Sequence, residues 1–151
     1  MADTSTTAER LALVLAEAGM QRMAARVMCA LLYSDQEDIT AGELCERLGA
    51  SAGAVSGALK TLLSLEMAER VPAPGDRRDH YRLRPGGWAI MMSSRNRLLD
   101  AMLQAAHEGI AAAGEESVAG QRLREMRDFY AYMQRELPAL IDRWHDQRGA
   151  G

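Results

Sequence analysis

The sequence predicts a mainly α-helical fold with one small β-hairpin. Over most of the 151 residues, apolar side chains recur at steps of three and four, which is the period of amphipathic helices. Glycines and hydroxyl-bearing residues flank several of these runs, as capping residues flank helices. One short stretch, residues 80–84, alternates apolar with polar side chains and indicates a strand. A chain of this length forms one compact domain with room for helical extensions.

The N-terminal part of the chain predicts two helices after a short tail. Residues 1–6 are small and polar, and we expect them to be disordered. A first helix is expected over residues 7–18, where Gly19 provides a C-terminal cap. Apolar residues at helical spacing over residues 20–31 predict the second helix.

Two short helices joined by a tight turn follow. Thr40 and Glu43 have the spacing of a capping box for a third helix, which ends before Gly49. Ser51 can cap a fourth helix, in which one face is apolar: Val55, Ala58, Leu59 and Leu62. The opposite face is small or polar and includes no acid: Gly53, Ser56, Gly57, Lys60, Thr61 and Ser64. This arrangement is the helix-turn-helix pattern.

The segment after the fourth helix predicts a hairpin with a basic tip. Residues 68–71 and 80–83 are the expected strands, with a turn at residues 72–75. Between Arg70 and Arg84, five arginines stand against two acids, a local charge of +3 in a chain whose formal charge is -3. A hairpin directly after the second helix of a helix-turn-helix is a wing.

The last part of the chain predicts long dimerisation helices. One helix is expected over residues 88–113, ending at Gly114, and another carries a coiled-coil seam in steps of three and four. The seam consists of Leu123, Met126, Tyr130, Met133, Leu137, Leu140 and Trp144. Pro138 lies within it, so we expect a kink or restart near Glu136. Because a row of large apolar side chains needs a partner, we predict a two-fold symmetric homodimer.

The order of these elements resembles the MarR-type winged-helix regulators, and within them the GbsR-like branch. The segments that carry the resemblance, which spans nearly the whole chain, are SAGAVSGALKTLLSLEMAERV (51–71), GDRRDHYRL (75–83), GMQRMAARVMCALL (19–32) and RELPALIDRW (135–144). The resemblance implies a bacterial transcriptional regulator whose first and last helices form a dimer interface, with small-molecule effectors in some members. The domains would then be a winged helix-turn-helix at 7–87 and a dimerisation region at 88–147. The wing departs from the common pattern, since Arg84 and Pro85 follow directly where a longer second strand usually ends in Leu-Thr.

The outer face of the fourth helix is predicted to bind double-stranded DNA. Gly53, Ala54, Ser56 and Gly57 let the helix backbone approach a major groove closely. Ser51, Ser56 and Thr61 would bond phosphates or bases, and Lys60 would neutralise a phosphate. The alternative is an ordinary solvated face, but such a face usually carries several charges.

The wing is the second predicted DNA contact. Arg77 and Arg78 at the hairpin tip can enter a narrow minor groove, and Asp76 is placed to orient one of them. Arg82 is expected to be structural or to face a phosphate. The alternative is a solvated charge run.

Other functions fit the sequence less well. A winged helix used only for protein contact would show apolar or acidic residues on the outer face of the fourth helix, which has neither. An enzyme would need a nucleophile with a base beside it, and the three histidines lie in separate elements without a phosphate loop or carboxylate pair. We therefore predict no catalysis, no cofactor and no metal.

The expected location is the cytoplasm. No apolar stretch reaches the roughly 18 residues that span a bilayer, and the N-terminus lacks the pattern of a secretory signal. Of the two cysteines, Cys45 lies on an apolar face and predicts a core thiol. Cys29 lies opposite the apolar stripe between Arg22 and Arg26, which fits either a reactive thiolate or burial against the dimerisation helices.

Overall fold

The computed structural model of the chain describes residues 3–94 and 96–149, which divide between Trp88 and Ala89 into two compact units. The fold is mainly helical with a small antiparallel sheet, as predicted. The helices of the N-terminal unit are α1 (Thr4–Glu17), α2 (Arg22–Leu32), α3 (Ala41–Leu48) and α4 (Ala52–Ser64). Helix α5 (Gly87–Ser94) spans the division, and α6 (Asn96–Ala113) and α7 (Val118–Gly149) follow in the C-terminal unit.

The first helix begins earlier than the sequence predicted. The Asp3 side chain accepts a hydrogen bond from the Ser5 backbone N–H and caps α1 at Thr4. An aspartate cap satisfies a helix donor that would otherwise be unpaired, and this allows a polar segment to be helical. The prediction of a disordered tail over residues 1–6 is therefore wrong for Thr4, Ser5 and Thr6, while Met1 and Ala2 lie outside the described residues.

The helix-turn-helix forms as predicted. The capping box of Thr40 and Glu43 starts α3, and Gly49 ends it in the left-handed conformation with φ of 57°. Ser51 then caps α4 by accepting a hydrogen bond from the Ala54 N–H at 3.2 Å. The predicted apolar face of α4 is buried throughout: Val55, Ala58, Leu59 and Leu62. Because burial of Val55, Leu59 and Leu62 contributes roughly 1.5–3 kcal/mol each, the polar face of α4 is held toward solvent.

The sheet has one more strand than predicted. Strands β2 (Ala68–Val71) and β3 (His80–Leu83) form the expected hairpin, and β1 (Ile39–Thr40) pairs with the other edge of β3. Two residues are too few to show alternation, and both side chains of β1 are buried, so no sequence period indicated this strand. The third strand ties the wing to the segment that precedes α3.

The C-terminal helices agree with expectation except at Pro138. Over residues 88–113, the described residues on both sides of Arg95 are helical, and Arg95 itself lies outside the described residues. Gly114 ends α6 with φ of 85°, as predicted. Helix α7 runs through Pro138 without the restart expected near Glu136. Proline removes one backbone hydrogen bond, and this loss is tolerated because Pro138 is exposed, where the freed carbonyl meets water.

Helix α7 packs against α6 of the same chain. A Cβ atom added at Gly109 would lie 2.9 Å from Leu123 Cδ1, so the two helices approach closely there. Leu137 is 8% exposed, and Met126, Tyr130 and Met133 are half-buried. Part of the predicted dimer seam, Leu123 and Leu137, is thus already covered within the chain. A strict heptad row drifts by about 20° per heptad around a straight helix, so one row can face two neighbours in turn.

Candidate nucleic-acid interface

The outer face of α4 is open and carries small side chains. Five of the seven predicted positions are exposed, and two, Ala54 and Thr61, are half-buried. The exposed positions are Ser51, Gly53, Ser56, Gly57 and Lys60. A Cβ atom added at Gly53 or Gly57 would meet no atom within 4 Å. We call these seven residues the α4 outer face; a large, flat ligand can approach its backbone without displacing side chains.

The hydroxyl groups of this face differ in what they offer a ligand. The Ser51 oxygen accepts the capping hydrogen bond, and its own O–H can still donate. The Thr61 hydroxyl donates a hydrogen bond to the Gly57 carbonyl at 3.2 Å. The O–H group that was predicted to donate to DNA is therefore already engaged within the helix. Ser56 is exposed and Thr61 is half-buried. Ser56 is therefore the better placed donor.

Lys60 is an exposed cation without an ion pair among residues 3–94 and 96–149. It borders a shallow depression of about 70 Å³ together with Ser56 of α4 and Arg70 of β2. The depression brings a lysine and an arginine from different elements to one place. Local positive charge of this kind attracts an anion.

Most arginines of the wing are held by acids. The β2–β3 register places Glu69 opposite Arg82, and Arg82 Nε lies 2.7 Å from Glu69 Oε1. Arg70 pairs with Asp79 at 3.7 Å, and Arg84 with Glu66 at 3.2 Å. Two roles were predicted for Arg82, a structural one and a phosphate contact. Its ion pair with Glu69 across the two strands is a structural contact.

The wing tip, Asp76–Arg78, contains one paired and one unpaired arginine. Gly75 has φ of 85° and allows the turn, after which Asp76 accepts hydrogen bonds from the Arg78 backbone N–H at 2.9 Å and its Nη2 at 2.7 Å. These bonds, together with one from His80, hold the pKa of the Asp76 carboxyl well below its usual range. Asp76 thus orients Arg78, as the sequence suggested. Arg77 is exposed and has no ion pair within the part of the chain that the structure describes.

His80 is a wing residue whose contacts the sequence did not reveal. Its Nδ1 lies 2.6 Å from Asp38 Oδ1, and its Nε2 lies 2.8 Å from Asp76 Oδ2. Hydrogen bonds to Asp76 and then to Asp38 raise the pKa of the imidazole. Asp38 is 42 residues away in sequence, and strand β1 was not predicted, so no local pattern could have indicated this contact.

A cavity of about 290 Å³ lies between α1, α2 and α3 of the N-terminal unit. The ion pair of Arg26 with Glu9 crosses its wall at 2.9 Å, and Arg47 contributes a second cation. The rest of the lining is small or apolar, and includes Ala8, Cys29, Ala30, Tyr33 and Leu48. The cavity can hold a small molecule with both a charged and an apolar part.

The two cysteines do not behave as their positions in the helices suggested. Cys29 is 1% exposed and packs against Ala12 of α1, and burial, followed by the nearby Glu9 carboxylate, raises the pKa of its thiol. The interpretation of Cys29 as a reactive thiolate is therefore wrong, because its environment disfavours the charged form. Cys45 is half-buried rather than fully buried.

The described residues contain neither a cluster of potential metal ligands nor a membrane-spanning helix. Among residues 3–94 and 96–149, no three potential metal ligands lie close enough to share an ion. No described helix is both long and apolar enough to cross a bilayer.

A capped helix-turn-helix followed by a hairpin in a three-stranded sheet defines a winged-helix protein. Residues 18–79 match the model of the MarR family, and residues 86–147 match that of the MmpR5-like MarR family transcriptional regulators. The HTH-type transcriptional regulator MmpR5 of Mycobacterium tuberculosis is 34% identical over 131 residues, which cover 86% of this chain and 79% of that protein. A crystal structure of a transcriptional regulator aligns with a TM-score of 0.77 and 31% identity, over 96% of this chain and 99% of that one. The chain belongs to the MarR family of transcriptional regulators, which confirms the predicted family and fold.

Proposed function

We propose that the chain regulates transcription as a homodimer that inserts α4 into the major groove of double-stranded DNA and the wing tip into the adjacent minor groove. The observation that carries this proposal is the α4 outer face: five of its seven residues are exposed, none is acidic, and its one cation, Lys60, forms no ion pair with the described residues. Small residues let the helix backbone approach base edges, and Lys60 can bond a phosphate. In this proposal the DNA-binding domain is residues 7–87 and the dimerisation region is residues 88–147.

The wing supports the same function through a division of roles among its arginines. Within residues 3–94 and 96–149, Arg77 forms no ion pair that DNA binding would have to break, and Asp76 holds Arg78 at the tip. A guanidinium so placed suits the enhanced negative potential of a narrow minor groove. Arg82 is bonded to Glu69, so we assign it to the integrity of the hairpin and not to direct contact.

Replacing Arg77 and Arg78 together by alanine is expected to weaken DNA binding and to flatten its salt dependence. Each lost phosphate-region contact lowers the log-log slope by about 0.9, so two arginines in each of two subunits account for up to about 3.6. The slope is measured by fluorescence anisotropy with one labelled duplex at several salt concentrations.

A matched control removes one exposed arginine from α6 and one from α7, Arg97→Ala with Arg122→Ala. It loses the same charge at a distance in sequence from the wing, and its slope should equal that of the wild type. An unchanged slope in a folded Arg77 and Arg78 variant would contradict the role of the wing.

The homodimer is proposed from apolar side chains that remain exposed. Four of them form the α7 stripe, which is Phe129 (58%), Tyr132 (54%), Leu140 (55%) and Trp144 (49%). Leu13 and Val14 of α1 are exposed as well. Full burial of a large apolar side chain contributes roughly 1.5–3 kcal/mol, so several half-covered side chains on two subunits can offset an association cost of about 4–15 kcal/mol. A second copy of the chain supplies the same residues by symmetry.

The cavity between α1, α2 and α3 is the site that we propose for a small-molecule effector. Arg47 favours an anionic group, since Glu9 already pairs with the other arginine, Arg26, while Ala8, Ala30 and Leu48 favour an apolar body. Every residue that lines the cavity precedes residue 49, so the proposed effector site lies wholly within the N-terminal unit.

The effector site can be tested with small aromatic carboxylates, starting with benzoate. Binding to the folded state raises the melting temperature, and Ala30→Phe should remove this rise by filling the cavity. The matched control is Ala105→Phe, at an exposed position of α6. Equal stabilisation of the wild type and Ala30→Phe would place the effector site elsewhere.

The finer identity of the protein remains part of this proposal. The GbsR-like branch rests on the four sequence segments, whereas residues 86–147 match the MmpR5-like model. We propose no catalysed reaction, in keeping with a family of transcriptional regulators, and we propose that the protein acts in the bacterial cytoplasm, where its DNA would be.

A further inference from the structure

His80 connects the wing to the body of the N-terminal unit. It lies on the central strand β3, between Thr40 of β1 and Val71 of β2 in the sheet register. Its two ring nitrogens contact two carboxylates on different segments, Asp38 before β1 and Asp76 at the wing tip. The His80 side chain is only 15% exposed. The ring therefore bridges the hairpin tip and the segment that leads into α3.

The protonation state of His80 decides whether both contacts are hydrogen bonds. An ionised carboxylate only accepts, so each contact requires a proton on the facing ring nitrogen. Neutral imidazole has one N–H and one lone pair, whereas imidazolium has two N–H groups. Loss of one proton leaves a lone pair facing a carboxylate at less than 3 Å, and one of the two contacts must open.

Asp76 passes this effect to Arg78. Asp76 Oδ2 lies 2.8 Å from His80 Nε2 and 2.7 Å from Arg78 Nη2, so one oxygen serves both residues. Asp76 Oδ1 accepts from the Arg78 backbone and from its Nε. A carboxylate fixed on one side by His80 presents Arg78 in one orientation. We call this series of contacts, Asp38–His80–Asp76–Arg78, the His80 chain.

We propose that His80 is a positioning residue that holds Arg78 in its DNA-binding orientation when both ring nitrogens are protonated, and that the affinity for DNA falls as rising pH removes one proton. The inference rests on the proposed function for its DNA readout. It adds that the wing tip is sensitive to pH within the range in which histidines titrate.

The charges around His80 set the direction of the effect. From β1 it faces Asp38, and from the wing it faces Asp76, whose charge is shared with Arg78. The Glu43 carboxylate of α3 attracts the Arg78 guanidinium electrostatically, and it accepts a hydrogen bond from the Thr40 backbone N–H. The neighbours of His80 in the sheet, Thr40 and Val71, are uncharged. Two carboxylates against one ring raise the pKa of His80, so the doubly protonated form is complete below the ordinary histidine pKa and is lost as pH rises through the raised one.

The test compares affinity and side-chain state from about pH 6 to about pH 9, a window that covers an ordinary histidine and a raised one. The probe is the labelled duplex that the protein enriches from random DNA. We expect wild-type affinity to fall by about tenfold or more across the window, the loss of about one charge-assisted hydrogen bond. His80→Gln should show the lower affinity at every pH. His107→Gln, at an exposed position of α6, is the control and should keep the wild-type profile.

The Asp38→Asn variant tests whether His80 positions Arg78 or only stabilises the fold. An amide can donate to the lone pair of a neutral imidazole, so this variant should keep high affinity at high pH. NMR titration without DNA should show the His80 ring and the Arg78 guanidinium changing together. The inference would be overturned if the DNA affinities of wild type, His80→Gln and Asp38→Asn changed in parallel with pH. It would also be overturned if the Arg78 NMR signal did not change when the His80 ring titrates. Failure to enrich any duplex would contradict the proposed function and the DNA part of this inference, while the NMR titration would still confirm or contradict the His80 chain.

Discussion

Lys60→Glu is expected to abolish specific DNA binding without unfolding the protein. Lys60 is exposed on the α4 outer face, so the exchange leaves the buried face of α4 unchanged. A hydrogen bond to a charged group contributes about 1.5–3 kcal/mol, and a dimer loses two, so we expect affinity to fall about 100-fold or more. Repulsion between the new glutamate and phosphate adds to the loss.

Arg22→Glu is the matched control for Lys60→Glu. It makes the same change of charge at an exposed position in the first turn of α2, where an acid is favourable to the helix. Both variants should unfold at about the temperature of the wild type, and the control should bind the enriched duplex nearly normally in a gel-shift assay. Retained affinity in Lys60→Glu would show that α4 presents a different face to DNA, or none.

The second large effect is expected from Leu140→Asp with Trp144→Asp. Both side chains belong to the exposed α7 stripe, so the exchange removes apolar surface that the dimer would bury, and places carboxylates there. An unpaired charge in an apolar interface is costly, and we expect a monomer at micromolar concentration by sedimentation. DNA affinity should fall with it, because a single subunit contacts one half-site.

The control for this double variant is His107→Asp with Ala111→Asp. These positions are exposed, have the same spacing of four residues and lie on α6, outside the α7 stripe. The control adds at least as much negative charge and should remain a dimer. A wild type that sediments as a monomer, or a Leu140 and Trp144 variant that remains a dimer, would contradict the proposed role of the α7 stripe.

The parts of the candidate interface that could be predicted depend on local signals. The capping box at Thr40, the cap at Ser51 and the apolar period of α4 lie within a few residues of one another, and they determine which face of α4 is exposed. The hairpin strands likewise alternate side chains within four residues. Such short-range patterns leave few alternatives for the backbone, so the bounds of α3, the start of α4 and the buried face of α4 were predicted correctly.

Contacts between distant segments could not be predicted. Strand β1 has only two residues and therefore shows no alternation of side chains. Because β1 was not predicted, no sequence pattern indicated that Asp38 lies beside His80. Cys29 is a different case: the sequence left open a reactive thiolate or burial against the dimerisation helices, and the thiol is buried against α1.

The seam of α7 shows how one sequence pattern can serve two contacts. Its spacing of three and four was read correctly, but the sequence does not say which apolar helix lies opposite. Helix α6 offers Leu99, Ala106 and Ile110 as buried residues, so α7 has a partner within its own chain. Leu137 is buried and Leu123 is half-buried in this helix pair, whereas Leu140 and Trp144 stay exposed, and we propose that a second copy covers them.

Selection of bound fragments from random DNA by the purified protein tests the central claim most directly. A homodimer with one α4 and one wing per subunit should enrich an inverted repeat whose half-sites lie about 10 base pairs apart, centre to centre. The same selection with Lys60→Glu should enrich nothing. Enrichment of no sequence by the wild type, or of the same repeat by wild type and Lys60→Glu alike, would contradict the assignment of α4 as the element that reads DNA.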